Sequence, residues 1–102
     1  MGSDLDARPI LLFFTSVRSG QARRMASLVA WVAVNEKQRL RVVSLDIDRH
    51  EQLARKLGVG AAPSLLLLRR GDVIERLEGS ATGKQIDQLL HENLPDSRVS
   101  RR

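Results

Sequence analysis

The chain has 102 residues, 42% of them apolar, with 7 glycines and a formal net charge of +5; that is enough for one domain with a real core and too little for two. It contains no cysteine, which excludes disulfides, thiolate metal sites, a nucleophilic thiol and dithiol redox chemistry by its own residues. No apolar run approaches the ~20 residues that cross a bilayer, and the opening Met1-Gly2-Ser3-Asp4-Leu5-Asp6 is acidic where a signal peptide is basic, so a soluble cytoplasmic protein with no membrane partner is expected.

In chain order, Pro9 precedes Ile10-Leu11-Leu12-Phe13-Phe14, a solid apolar run without alternation that suits a central strand buried on both faces. Thr15 to Gln21 supplies loop residues, and Ala22 to Asn35 reads as a helix with Met25, Ala26, Val29, Val32 and Ala33 on one face. Leu40 to Asp48 is the next strand. Asp48 and Glu51 form a D-x-x-E helix start for a short helix carrying Leu53, Ala54 and Leu57 and ended by Gly58. Leu65 to Leu68 and Val73 to Leu77 flank Arg70-Gly71-Asp72 and predict an antiparallel hairpin. Thr82 and Gln85 make a capping box for a last helix with Ile86, Leu89, Leu90 and Leu94 on one side, stopping before Pro95.

The order β-α-β-α-β-β-α implies an α/β three-layer sandwich on a four-stranded mixed sheet, its first two strands parallel across a helical crossover. Residues 9–94 are expected to form the domain. Residues 1–8 form an N-terminal segment, with disorder or a short strand both open, and the basic tail 95–102 is expected to be disordered.

This order, with a loop-to-helix segment after the first strand and a proline before the third, resembles the thioredoxin family from about Pro9 to Leu94. Phe14-Thr15-Ser16-Val17-Arg18-Ser19-Gly20-Gln21-Ala22-Arg23 is similar to the family's F-W-A-x-W-C-G-P-C-K segment, and Val43-Ser44-Leu45-Asp46-Ile47-Asp48 to its V-D-x-D strand. Leu57-Gly58-Val59-Gly60-Ala61-Ala62-Pro63-Ser64-Leu65 is similar to the segment holding the family's cis-proline, Arg70-Gly71-Asp72-Val73 to its K-N-G-x-V turn, and Gly79 to the glycine after the last strand. The resemblance implies a thioredoxin-like fold and denies the family's reaction. Thiol-disulfide exchange needs an attacking and a resolving thiol; Ser19 and Ala22 stand at those two positions, so the active-site positions Ser19, Gly20, Gln21 and Ala22 are degenerate and no catalytic residue is assigned. The supporting groups differ too: Phe13 replaces a buried aspartate, Ser44 its partner lysine and Arg18 a tryptophan. This coordinated replacement points to a natural redox-inactive branch. With only eight residues before the first strand, the family's opening strand and helix are expected to be missing or shortened, which leaves Leu40 to Asp48 as an edge strand.

Three features retain chemistry. Arg18, Arg23 and Arg24 surround a helix N-terminus, where free N-H groups and partial positive charge favour an anion or an acidic peptide. Ala62, before Pro63, could present its backbone to an extended peptide, as the resemblance implies. Leu28, Trp31 and Val34 form a second apolar stripe, off the face of Met25, Val29 and Val32, and make a candidate interface with a partner or a second copy, unless the last helix or the N-terminal segment covers it.

Ser19 has no evident base, His50 and His91 lie in distant segments, and Asp48 is better used as a helix cap than as a metal ligand beside Asp46; no metal and no cofactor are expected. The sequence holds 14 arginines and 3 lysines but one tryptophan, two phenylalanines and no tyrosine, so single-stranded bases would find few stacking platforms and nucleic acid is a minor alternative. The expected function is therefore a redox-inactive thioredoxin-like module that binds an unidentified protein or peptide, a homodimer included. The alternative is an anion-binding or transferase-type enzyme using Ser19; a glutathione-transferase-like activity would need a second helical domain that 102 residues cannot hold.

Overall fold

A computed structural model describes residues 8–94 of the chain. The expectations for residues 1–7 and for the tail 95–102 lie outside the described residues. The elements are β1 (Ile10–Thr15), α1 (Gly20–Asn35), β2 (Arg41–Asp46), a single 3-10 turn (Ile47–Arg49), α2 (Glu51–Lys56), β3 (Ser64–Arg69), β4 (Asp72–Glu78) and α3 (Gly83–Asn93).

Strand order is β2-β1-β3-β4, with β1 parallel to β2 and antiparallel to β3, and β3 antiparallel to β4. The unbroken apolar runs have the expected cause. Leu11 and Phe13 pack in one cluster with Met25, Val29 and Val32 of α1 and Ile86, Leu89 and Leu90 of α3, while Leu12 and Phe14 pack in a second cluster with Ala54 of α2 and Val59. Successive strand residues point to opposite faces, so a strand covered by helices on both sides must be apolar at every position. β3 repeats the pattern through Leu65, Leu66 and Leu67, all fully buried. Each such side chain stabilises the fold by roughly 1.5–3 kcal/mol.

The β3–β4 hairpin turns at Arg70 and Gly71, both with positive φ (54° and 88°). Two left-handed residues in succession make the tight turn whose twist matches the strands it joins; glycine adopts that conformation freely, and Arg70 is held in it by the pairing on either side. On α3, Thr82 Oγ1 accepts from the Gln85 amide at 3.1 Å and Gln85 Oε1 accepts from the Thr82 amide at 2.8 Å, closing the expected capping box.

Two boundaries differ from expectation. Helix α1 begins at Gly20 rather than Ala22, because Ser19 caps it. Strand β2 ends at Asp46, and Asp48 does not cap α2: that helix starts after His50, which provides no side-chain cap. The Asp46 carboxylate takes the Asp48 amide at 2.8 Å instead and opens the 3-10 turn. This local i to i+2 bond competes directly with continuing the strand. It also places Asp46 and Asp48 on different elements rather than on one strand face.

Candidate functional site

The loop after β1 is shaped by one nearly buried hydroxyl. Ser16 Oγ accepts from the Arg18 amide at 3.1 Å and donates to Asp48 Oδ2 at 3.3 Å, while the Ser16 carbonyl accepts from the Ser19 amide at 3.1 Å. Ser19 then has extended backbone (φ −108°, ψ 116°), and its Oγ accepts from the Ala22 amide at 3.0 Å while its carbonyl accepts from the Arg23 amide at 3.1 Å. Ser19 and Ala22, at the two positions similar to the family's thiols, are therefore joined by a capping hydrogen bond. Ala22 is fully buried. Among the described residues Ser19 Oγ has no other hydrogen-bond partner, so no base is placed to activate it. Replacing Ser19 by alanine is expected to cost about 1 kcal/mol of unfolding free energy, read as a lower urea midpoint at unchanged m-value.

Beneath the loop, Phe13 and Ser44 are direct partners in the β1–β2 register. Phe13 is buried and Ser44 exposed, so neither an acid nor a cation lies below the loop at these positions. Arg18 turns toward Asp48, its Nη2 2.8 Å from Oδ1, with 77% of its side chain exposed. Arg23 folds back onto the Val17 carbonyl at 2.8 Å. Arg23 and Arg24 stay beside the start of α1: a Cβ on Gly20 would lie 3.6 Å from Arg24 Nη1 and 4.0 Å from Arg23 Nη2.

Between this loop and the start of β3 lies an open cleft of about 550 Å³, lined among others by Ser16, Arg18, Asp48, Glu51, Arg55 and Ala62. Its charges balance, two guanidinium groups against two carboxylates. The Ala62–Pro63 peptide bond is cis. Pro63 is buried, its carbonyl accepts from the Gly79 amide at 2.9 Å, and Ser64 Oγ donates to the Ala61 carbonyl at 2.7 Å; Ala62 itself is half-exposed at the cleft wall.

The second stripe of α1 is not covered by α3. Leu28, Trp31 and Val34 are 37%, 61% and 70% exposed, and Leu28 and Trp31 form one wall of a groove between α1 and α3. The His50 ring lies 3.0 Å from the Asp46 carbonyl, and His91 is in the last turn of α3. No group of three or more His, Cys, Asp or Glu able to hold a metal occurs among the described residues, and no helix there is long and apolar enough to cross a membrane.

Sequence reasoning missed three polar anchors. Asp48 ties the loop to the turn after β2 through Ser16 and Arg18. Arg76 of β4 donates to the Leu57 carbonyl at 2.9 Å and the Gly58 carbonyl at 3.3 Å, holding the end of α2. Glu36, 5% exposed at the end of α1, pairs with Arg39 at 2.9 Å; its i,i+3 spacing was the one local signal of the three.

Comparison with known proteins agrees with this geometry. The thioredoxin family model matches residues 3–92. Thioredoxin Y1 of Arabidopsis thaliana, a chloroplastic protein, is 26% identical over 87 residues, covering 85% of this chain and 51% of that protein. A thioredoxin-like protein of Synechocystis is 28% identical over 83 residues, 81% of this chain and 79% of its own; the thioredoxin of Bacillus subtilis is 26% identical over 85 residues, 83% and 82% of the two chains. The chain thus spans about half of the Arabidopsis relative and about four fifths of the other two. Among solved structures, the germline-specific thioredoxin Deadhead of Drosophila melanogaster superposes with a TM-score of 0.81, at 22% identity, over 89% of this chain and 86% of that one; at that identity the likeness establishes the fold. With the strand order, the degenerate loop and the family match in agreement over most of its length, this chain belongs to the thioredoxin family, and it does so without a cysteine.

Proposed function

We propose that the protein is a redox-inactive thioredoxin-like module that binds an extended segment of another protein in the cleft between the Ser16–Ser19 loop and Ala62. The observation that carries this reading is the contrast between closed chemistry and an open cleft. Ser19 is engaged as a helix cap and Ala22 has no exposed surface, yet the adjoining cleft of about 550 Å³ remains open. Its wall includes backbone just before β3, where an extended segment could pair as an added strand. Its mixed-sign lining suits a peptide, which carries donors, acceptors and both charges.

The alternative, an anionic small molecule at the start of α1, has less support. The Ala22 and Arg23 amides are taken by Ser19, Arg18 is neutralised by Asp48, and Arg23 is turned back onto the loop. Nucleic acid has less still, for want of aromatic platforms.

A displayed random-peptide library selected on the wild-type domain should yield ligands that bind Ala62→Glu at least ~10-fold more weakly, the loss expected when a charge is placed in the centre of a small interface. Ligands that ignore Ala62→Glu, yet fall steeply with salt and are lost with Arg23→Glu, would overturn the reading in favour of the anion site.

A further inference from the structure

Helix α1 carries no charged side chain from Met25 to Asn35, in a chain that is 28% charged. Its inner side is buried through Met25, Val29 and Val32, and its outer side would be polar on an ordinary surface helix. Instead Leu28, Trp31 and Val32 form one wall of a groove of about 480 Å³, with Ile86 and Leu90 of α3 on the other. That volume lies in the range of small-molecule sites, which are apolar with a few placed polar groups. Here the charged groups are of one sign. Among the described residues no lysine, arginine or histidine lines the groove, although the chain has 17 Lys+Arg; its charged lining residues are Glu36 and Asp87. Glu36 is 5% exposed and already holds Arg39. Asp87 is exposed and makes no hydrogen bond or ion pair to another described residue.

We propose that the α1–α3 groove is a binding site for a small organic cation with an apolar body. The body packs between Leu28, Val32, Ile86 and Leu90, and its ammonium group is set against the Trp31 indole and the Asp87 carboxylate. The lining selects among occupants. An anion would enter beside two carboxylates. A neutral apolar ligand would cover Asp87 without giving it a partner, and desolvating an unpaired carboxylate is a cost that a cation offsets. Of the aromatic side chains, tryptophan attracts a cation to its face most strongly. An extended peptide carries a backbone donor and acceptor at nearly every residue, and this apolar lining leaves most of them unsatisfied; an alkyl or aryl body has none. The net charge of +5 does not decide the matter. At physiological salt, charges more than ~8 Å away are largely screened, whereas a ligand in the groove touches Asp87. The cleft at Ala62 shares no lining residue with this groove, so this site does not depend on peptide binding there.

Three compounds of matched shape test the assignment: 4-phenylbutylammonium, 4-phenylbutanol and 4-phenylbutyrate, each titrated into the 102-residue chain at constant ionic strength. Trp31 is the only tryptophan, so its emission reports on the groove directly, and amide shifts in NMR spectra locate the site. The ammonium should bind with a dissociation constant of about 1 mM, as expected for a ligand of this size. It should bind at least ~5-fold more tightly than the alcohol, and the carboxylate more weakly than either. Asp87→Asn should remove most of that preference and leave the alcohol's affinity unchanged, while Asp72→Asn, at the start of β4, should change neither. A Cβ on Gly83 would lie 3.5 Å from Leu28 Cδ2, so Gly83→Leu fills that end of the groove and should weaken all three ligands; circular dichroism should show each variant folded. Equal binding of ammonium and alcohol, a preference that survives Asp87→Asn, amide shifts confined to the Ala62 cleft, or no binding up to about 20 mM would each overturn the proposal. So would either rival occupant. A second copy would show as a mass above 11.4 kDa that the ammonium lowers. Residues 95–102 of the same chain would show as at least ~5-fold tighter ammonium binding once Arg98, Arg101 and Arg102 are changed to glutamine.

Discussion

Phe13→Asp is expected to unfold the domain at neutral pH. The substitution restores the side chain type that the family resemblance places at this position, but the surroundings no longer receive it. Phe13 is 1% exposed and packs among Leu11, Met25, Val29 and Leu65, and its partner across the strand is Ser44 rather than a cation. Removing the ring from a packed core costs about 3–5 kcal/mol. A carboxylate left there without a partner adds several kcal/mol of desolvation, or goes neutral at a similar cost. The sum reaches the ~5–15 kcal/mol that holds a domain of this size. Urea titration followed by circular dichroism should find no folded baseline for Phe13→Asp, whereas Phe13→Leu, which keeps an apolar side chain, should remain folded with a loss of about 1–2 kcal/mol. A folded, cooperative Phe13→Asp would mean that water or an unrecognised partner reaches this position.

The double substitution Ser19→Cys, Ala22→Cys is expected to form a disulfide and yet fail as a catalyst. The two positions are joined by the cap between Ser19 Oγ and the Ala22 amide, three residues apart at the first turn of α1, a separation a disulfide spans without moving the backbone. The first thiol would be ionised readily by the helix N-terminus and attack a substrate disulfide. The second would take the place of a fully buried alanine, with no carboxylate at Phe13 to accept its proton and no lysine at Ser44 to support one. Burial raises a thiol's pKa, so the mixed disulfide is released slowly. Because a positioned base contributes typically 10²–10⁴ in rate, turnover in a disulfide-reduction assay should fall at least ~100-fold below a thioredoxin measured beside it. The mixed disulfide should accumulate in mass spectra of the quenched reaction. Turnover equal to an ordinary thioredoxin would show that the replaced groups at Phe13, Ser44 and Arg18 do not limit the chemistry.

Much of the frame was legible in the chain because its signals are local. The unbroken run at Ile10 to Phe14 announced a strand covered on both faces, Leu65 to Leu68 with Val73 to Leu77 a hairpin, and Thr82 with Gln85 marked the start of α3 through a bond that spans three residues. The same local reasoning failed at Asp48. Its spacing to Glu51 satisfies a helix-start pattern, but its carboxylate had a stronger alternative in Arg18 and Ser16, 30 and 32 residues away. A charge-assisted bond to a guanidinium outweighs a cap on a six-residue helix, and no pattern within four residues contains that information.

By itself the sequence determined the order of the elements, the inner side of α3 and most of that of α1, where Met25, Val29 and Val32 are buried and Ala26 is exposed, and, most firmly, the absence of thiol chemistry: these follow from composition and from periodicities of two and 3.6 residues, which hold before any long-range contact forms. Tertiary structure alone decided which groups meet. It made Phe13 and Ser44 neighbours across the β1–β2 register, turned Ser19 and Ala22 into a closed cap, reached from Arg76 to the end of α2, and left Trp31 uncovered beside α3. Those pairings depend on strand register and helix placement, set by how the whole core packs, and a side chain's partner across such distances is a property of the fold rather than of its own stretch of chain.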